Sequence, residues 1–140
     1  MCFTIQGPAK QATEKILCFK VMRITRDCIN SLFHPKDGGY KLGEFIYGKG
    51  YAHGHPSRLA RRLNKQADLN GEVVHSYSSI ITARSLRDAC QFTLAGDYVV
   101  VQCIIPKGAW YWENLEEGEY ASFELKLSEL DLSFTFNSRW

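Results

Sequence analysis

A single α+β domain, with a split mixed or antiparallel sheet and two short helices, is predicted by three features of this chain. Residues 16–24, 73–77, 98–105 and 120–127 are rich in β-branched and aromatic types and lie between turn signals, a pattern of strands rather than long helices. Residues 58–67 and 82–92 instead place apolar side chains at helical spacing. At 140 residues the chain suits one core, in which roughly two-thirds of the unfolded surface is buried.

Residues 1–14 are polar and mixed, which predicts a flexible arm ahead of a domain spanning 15–140. Residues 16–24 carry only Lys20 and Arg23 as charges and read as a mostly buried first strand. His34-Pro-Lys-Asp-Gly-Gly39 is a turn, with paired glycines able to take positive φ. Residues 40–52 mix aromatics with glycines, Gly48 and Gly50 among them, and predict an edge strand or loop. Pro56 and Ser57 lead into the first helix, residues 58–67, where Leu59, Leu63 and Ala67 share a face and Arg58, Arg61, Arg62 and Lys65 cover the others. Asn70-Gly71 closes it.

A short strand at 73–77 precedes the second helix, 82–92, with Leu86, Ala89, Cys90 and Phe92 expected on its buried side. Residues 98–105 are almost continuously apolar and end at Pro106, as a central strand does. Strands at 109–112, 120–127 and 132–136, with an acidic loop at 113–118, complete the C-terminal half.

Charge is segregated. No acid lies between Glu44 and Asp68, where Lys49, Arg58, Arg61, Arg62 and Lys65 gather with His53 and His55. Such a basic segment suits an anionic partner, a nucleotide phosphate or nucleic acid. Without a recognisable reading module, sequence-specific nucleic-acid binding is not expected. The five cysteines show no CxxC spacing, no apolar run approaches a membrane span and the N-terminus lacks a secretory h-region, so a cytoplasmic protein without disulfides is expected. His53, His55 and His75 have no fourth partner at zinc-site spacing, and no metal is expected.

The order of motifs from residue 74 to 127 resembles the catalytic half of toxin-like mono-ADP-ribosyltransferases. The residues that carry the likeness are Ser76-Tyr-Ser-Ser79 before a helix, a strand ending in Pro106-Lys-Gly108, and Tyr120-Ala-Ser-Phe-Glu124. The resemblance implies an ADP-ribosyltransferase-like fold that binds NAD, with Arg23 on the pyrophosphate and His75, Ser76, Ser78 and Tyr120 shaping the nucleotide pocket. It also implies a carboxylate that stabilises the charge developing as the nicotinamide bond breaks. Without gaps, the family's Glu-x-Glu pair falls on Phe123 and Leu125, which leaves Glu124 between them and Glu119, at the strand entrance, as the alternative acid. Arg58, Arg61, Arg62 and Lys65 are the phosphate- or partner-binding candidates.

The Met-Cys start and the Ile-Pro-Lys-Gly strand are also similar to small proteins of bacteriophages and gut bacteria. Two functions follow: transfer of ADP-ribose from NAD to a host protein, or a non-catalytic anti-defence protein that sequesters a signalling nucleotide or blocks a host protein.

Overall fold

A computed structural model describes residues 9–25, 28–32, 35–48, 73–94 and 96–131. Its spine is an antiparallel ladder between β2 (Ile16–Thr25) and β6 (Asp97–Ile105), registered from Ile16↔Ile105 to Ile24↔Asp97. On one face Cys18, Met22, Val99, Val101, Cys103 and Ile105 are all buried, and on the other Val21, Tyr98 and Val100 are buried as well. A strand covered on both faces accounts for the continuous apolar sequence of residues 98–105.

Seven further strands complete one nine-stranded sheet. They are β1 (Lys10–Gln11), β3 (Cys28–Asn30), β4 (Phe45–Tyr47), β5 (Val74–Tyr77), β7 (Trp110–Asn114), β8 (Glu119–Ser122) and β9 (Glu124–Leu130). The spatial order is β1-β7-β8-β5-β2-β6-β9-β4, with β3 pairing onto β2, and each of these pairings is antiparallel.

Only Phe123 separates β8 from β9 in the chain, although three strands stand between them in the sheet. In a flat sheet four inter-strand steps span about 19 Å, whereas Ser122 and Glu124 lie at most about 7 Å apart along the chain. The sheet therefore rolls into a barrel in which β8 and β9 act as two arms of one bent strand. Phe123 stitches the seam: its carbonyl accepts from Gly48 N at 2.9 Å and its own N–H donates to Trp110 O at 3.4 Å. A register shift at Gln102/Cys103 leaves Ser128 of β9 as an extra residue opposite β6, and such a bulge sharpens the bend. Leu125 and Leu127 then fill the interior with Cys18, Met22, Val74 and Ile46.

One helix, α1 (Ile80–Thr93), lies among the described residues. Ser79 caps it, its Oγ accepting from Ile81 N at 3.2 Å, which starts the helix two residues before the predicted position. Ala83 and Cys90 pack on Val21, Tyr98 and Val100. The buried face follows Ala83, Arg87 and Cys90, so Ala89 is exposed and Phe92, expected inside, is 95% exposed. A two-pronged bond from Arg84 to Asp131, at 2.8 and 3.1 Å, ties the helix to the end of β9.

The α+β class with two helices and a split sheet is thus corrected. Strand takes 52% and helix 15% of the described residues, and the architecture is a largely β, antiparallel one. The cause lies in pairing that the sequence pattern does not announce: Lys10–Gln11 docks on β7, and Cys28–Asn30 doubles back on β2. The basic helix predicted at 58–67 and the strand predicted at 132–136 lie outside the described residues. The predicted strand at 120–127 is broken at Phe123.

Interior thiols are inert by position. Burial pushes Cys18 up to about 11, against a smaller lowering from the Ser76 hydroxyl beside it, and burial raises Cys103 well above its ordinary value. Reaction requires the accessible thiolate. Iodoacetamide at pH 8 should therefore label the half-buried Cys28 in the native protein and reach Cys18 and Cys103 only after denaturation. Peptide-resolved mass spectrometry reads this, and native labelling of Cys18 or Cys103 ahead of Cys28 would contradict the barrel interior.

Candidate functional site

Pairing of β5 with β8 sets Tyr77 opposite Glu119, Ser76 opposite Tyr120 and His75 opposite Ala121. Because side chains alternate across a strand, Glu119 and His75 share one face, and His75 Nδ1 stands 3.2 Å from Glu119 Oε1. Both side chains are largely buried, at 11% and 6% exposure. Ser76 and Tyr120 share the other face. There Tyr120 packs edge-on against Tyr111 with ring centroids 5.9 Å apart, and burial, with Glu113 next, raises its hydroxyl pKa.

The turn between β7 and β8 completes a small cleft. Asn114 Oδ1 accepts from Glu117 N at 3.1 Å, and Gly118 takes a φ of 63° that side chains rarely adopt. Its carbonyl receives both Ser78 N at 2.9 Å and Ser78 Oγ at 3.2 Å. The cleft holds about 40 Å³ and is lined by Ser78, Glu113, Asn114, Gly118, Glu119 and Tyr120, with Leu115 at its edge. That volume admits one or two hydroxyl groups, since a water's share of liquid is about 30 Å³.

A buried amine stands against β5. β5 pairs with β2 only at Phe19↔Tyr77, and Lys20 Nζ fills the widening gap by donating to His75 O at 2.9 Å. Burial lowers the Lys20 pKa, with Cys103, Cys18 and Glu119 acting more weakly to raise it. Tyr77, on the helix side, is pushed up to about 12 by burial and then by Glu119.

The Lys20 shift has a pH signature. Between the depressed folded pKa and 10.5 the unfolded chain holds a proton that the folded chain does not, so stability tied to this group rises with pH. The stability of the wild type relative to Lys20→Met should therefore increase as pH rises from the lowered folded pKa towards 10.5. The comparison removes most of the opposing effect of Cys18 and Cys103, whose raised values favour the folded state less as pH passes 9. Urea titrations at several alkaline pH values read the difference, and a flat difference would contradict the lowered pKa of Lys20.

Three predicted residues, Ser78, Glu119 and Tyr120, line this cleft; His75 reaches it only through Glu119, and Ser76 is fully buried. The Ser76 hydroxyl makes no hydrogen bond of ordinary geometry and has the Cys18 thiol as neighbour. Arg23 lies elsewhere: it is exposed, registers with Tyr98 and Asn30, and stands beside Gly96, four residues or about 13 Å along β2 from the level of Tyr77. Glu124 registers with Tyr47 at the β4 edge, does not line the cleft, and has its carboxyl pKa raised by burial. Arg58, Arg61, Arg62 and Lys65 lie outside the described residues. Glu113 and Asn114 were not expected in a site, because composition assigns them to the acidic loop; their β7 pairing with Tyr120 and Glu119 is what brings them in.

Among the described residues no three His, Cys, Asp or Glu side chains gather as a metal site requires, and no helix is long and apolar enough to cross a membrane. Compared with known protein families, curated proteins and solved structures, the chain matches none.

Proposed function

We propose that this protein binds a nucleotide by its ribose, with Glu119 as the carboxylate that accepts the ribose hydroxyls. One observation carries the reading: Glu119 is only 5% exposed yet lines a small cleft, beside hydroxyl and amide groups from Ser78, Tyr120 and Asn114. A carboxylate of this kind is the usual acceptor for a ribose 2′-hydroxyl. His75 holds one of its oxygens and fixes its orientation. The cleft admits a sugar edge, not a base or a pyrophosphate. Its own charges are acidic, so the phosphates must lie away from Glu113 and Glu119.

NAD is the nucleotide that the resemblance to ADP-ribosyltransferases suggests. A carboxylate on the ribose is placed to stabilise positive charge as a nicotinamide bond breaks, and Glu119 takes that role in place of Glu124. ADP-ribose would then pass to a host protein. Capture without turnover is the second reading. The outward position of Glu124 favours it, since Leu125 and not a second acid occupies the interior.

Native mass spectrometry with NAD, ADP-ribose and a panel of cyclic nucleotides separates these. Bound ADP-ribose with release of nicotinamide supports transfer, and an unaltered nucleotide supports capture. Absence of binding by every ribose-bearing ligand would sink both.

A further inference from the structure

A second concavity opens at the other end of β2. Ile24 lies five residues beyond Phe19, about 17 Å along the strand from the level of the Glu119 cleft, and the two sites share no residue. Here the barrel interior opens to solvent: Ile29 and Tyr40 belong to the core, Ile24 and Leu130 pack against it, and Leu42 is 47% exposed at the rim. The cavity holds about 360 Å³, within the roughly 300–1,000 Å³ of small-molecule sites.

Its lining carries one charge, Lys41, and no acid among the described residues. Glu44, three residues along the chain from Lys41, is taken by Lys36, whose Nζ donates to Glu44 Oε2 at 2.6 Å; that bond, with a weaker pull from Lys41, lowers the Glu44 pKa. An apolar trough with a single ammonium at its lip is complementary to an apolar chain ending in one negative charge.

We propose that this cavity binds a medium-chain fatty carboxylate, its chain over Ile24, Ile29, Leu42 and Leu130 and its carboxylate on Lys41. Cys28 reports occupancy, because it is one of the residues that line the cavity and its thiol lies 3.1 Å from Thr25 Oγ1. A bound chain shields it from alkylation.

Sodium decanoate, sodium octanoate and decanol, titrated calorimetrically into the full chain, test the assignment. Decanoate should bind one per chain and slow iodoacetamide labelling of Cys28. Each methylene removed should weaken binding about fourfold, which makes octanoate roughly fifteenfold weaker. Lys41→Glu should weaken decanoate at least tenfold while leaving decanol unchanged, and Leu42→Trp should block both. Lys41 and Leu42 are exposed, so both variants should melt like the wild type. No decanoate binding, binding without protection of Cys28, or equal binding by Leu42→Trp overturns the proposal. None of these outcomes bears on the Glu119 cleft.

Discussion

Replacing Trp112 by alanine should lower the unfolding free energy by about 3–5 kcal/mol. The indole is 1% exposed and packs edge-on against Phe123, with centroids 5.5 Å apart and planes at 84°. Val73 and Ala121, both fully buried, close the cluster. This cluster sits where the rolled sheet meets itself, because Phe123 is the hinge between β8 and β9. Losing the ring leaves a cavity at the closure rather than on a replaceable rim. A domain of this kind has only about 5–15 kcal/mol of total stability, so the variant should approach the threshold of folding. Urea denaturation followed by far-ultraviolet circular dichroism measures the change. Trp112→Phe keeps a ring against Phe123 and should cost less; a loss below about 1 kcal/mol for Trp112→Ala would contradict the closed seam.

Glu119→Gln should weaken binding of ADP-ribose about 10- to 100-fold, the worth of a hydrogen bond to a charged acceptor. The substitution preserves shape and a polar partner for His75, so folding should be retained. If the bound nucleotide is turned over, the same change should lower turnover further, since a developing positive charge depends on the carboxylate more than a ground-state hydroxyl does. Glu124→Gln should leave binding within about twofold, because Glu124 does not line the cleft. Isothermal titration calorimetry on the two variants reads both effects. Reversal of their order would move the site to the β4 edge.

Which parts of this fold are legible in the sequence follows from what fixes each element. β2 and β6 are legible because burial on both faces writes itself as apolar runs, and α1 because its periodicity is helical. β1 and β3 are not, since Lys10–Gln11 and Cys28–Asn30 carry no strand pattern and are held by their partners β7 and β2. The break at Phe123 is hidden for a related reason. Residues 120–127 alternate as one strand would, and only closure of the barrel forces the bend. That bend also separates the two candidate acids: Glu119 precedes it and faces His75, whereas Glu124 follows it and registers with Tyr47. Arg23 reads as a strand cation, but its distance from the cleft is set by the β2–β5 register, which pairs only Phe19 with Tyr77.

The placement of the site is tested most directly by amide chemical shifts in a ¹⁵N-labelled sample titrated with ADP-ribose. Saturable shifts concentrated at Ser78, Asn114, Gly118, Glu119 and Tyr120, and lost in Glu119→Gln, are the predicted result. Shifts centred instead on Arg23 or Glu124, or saturation that leaves the Glu119 cleft unperturbed, would contradict it.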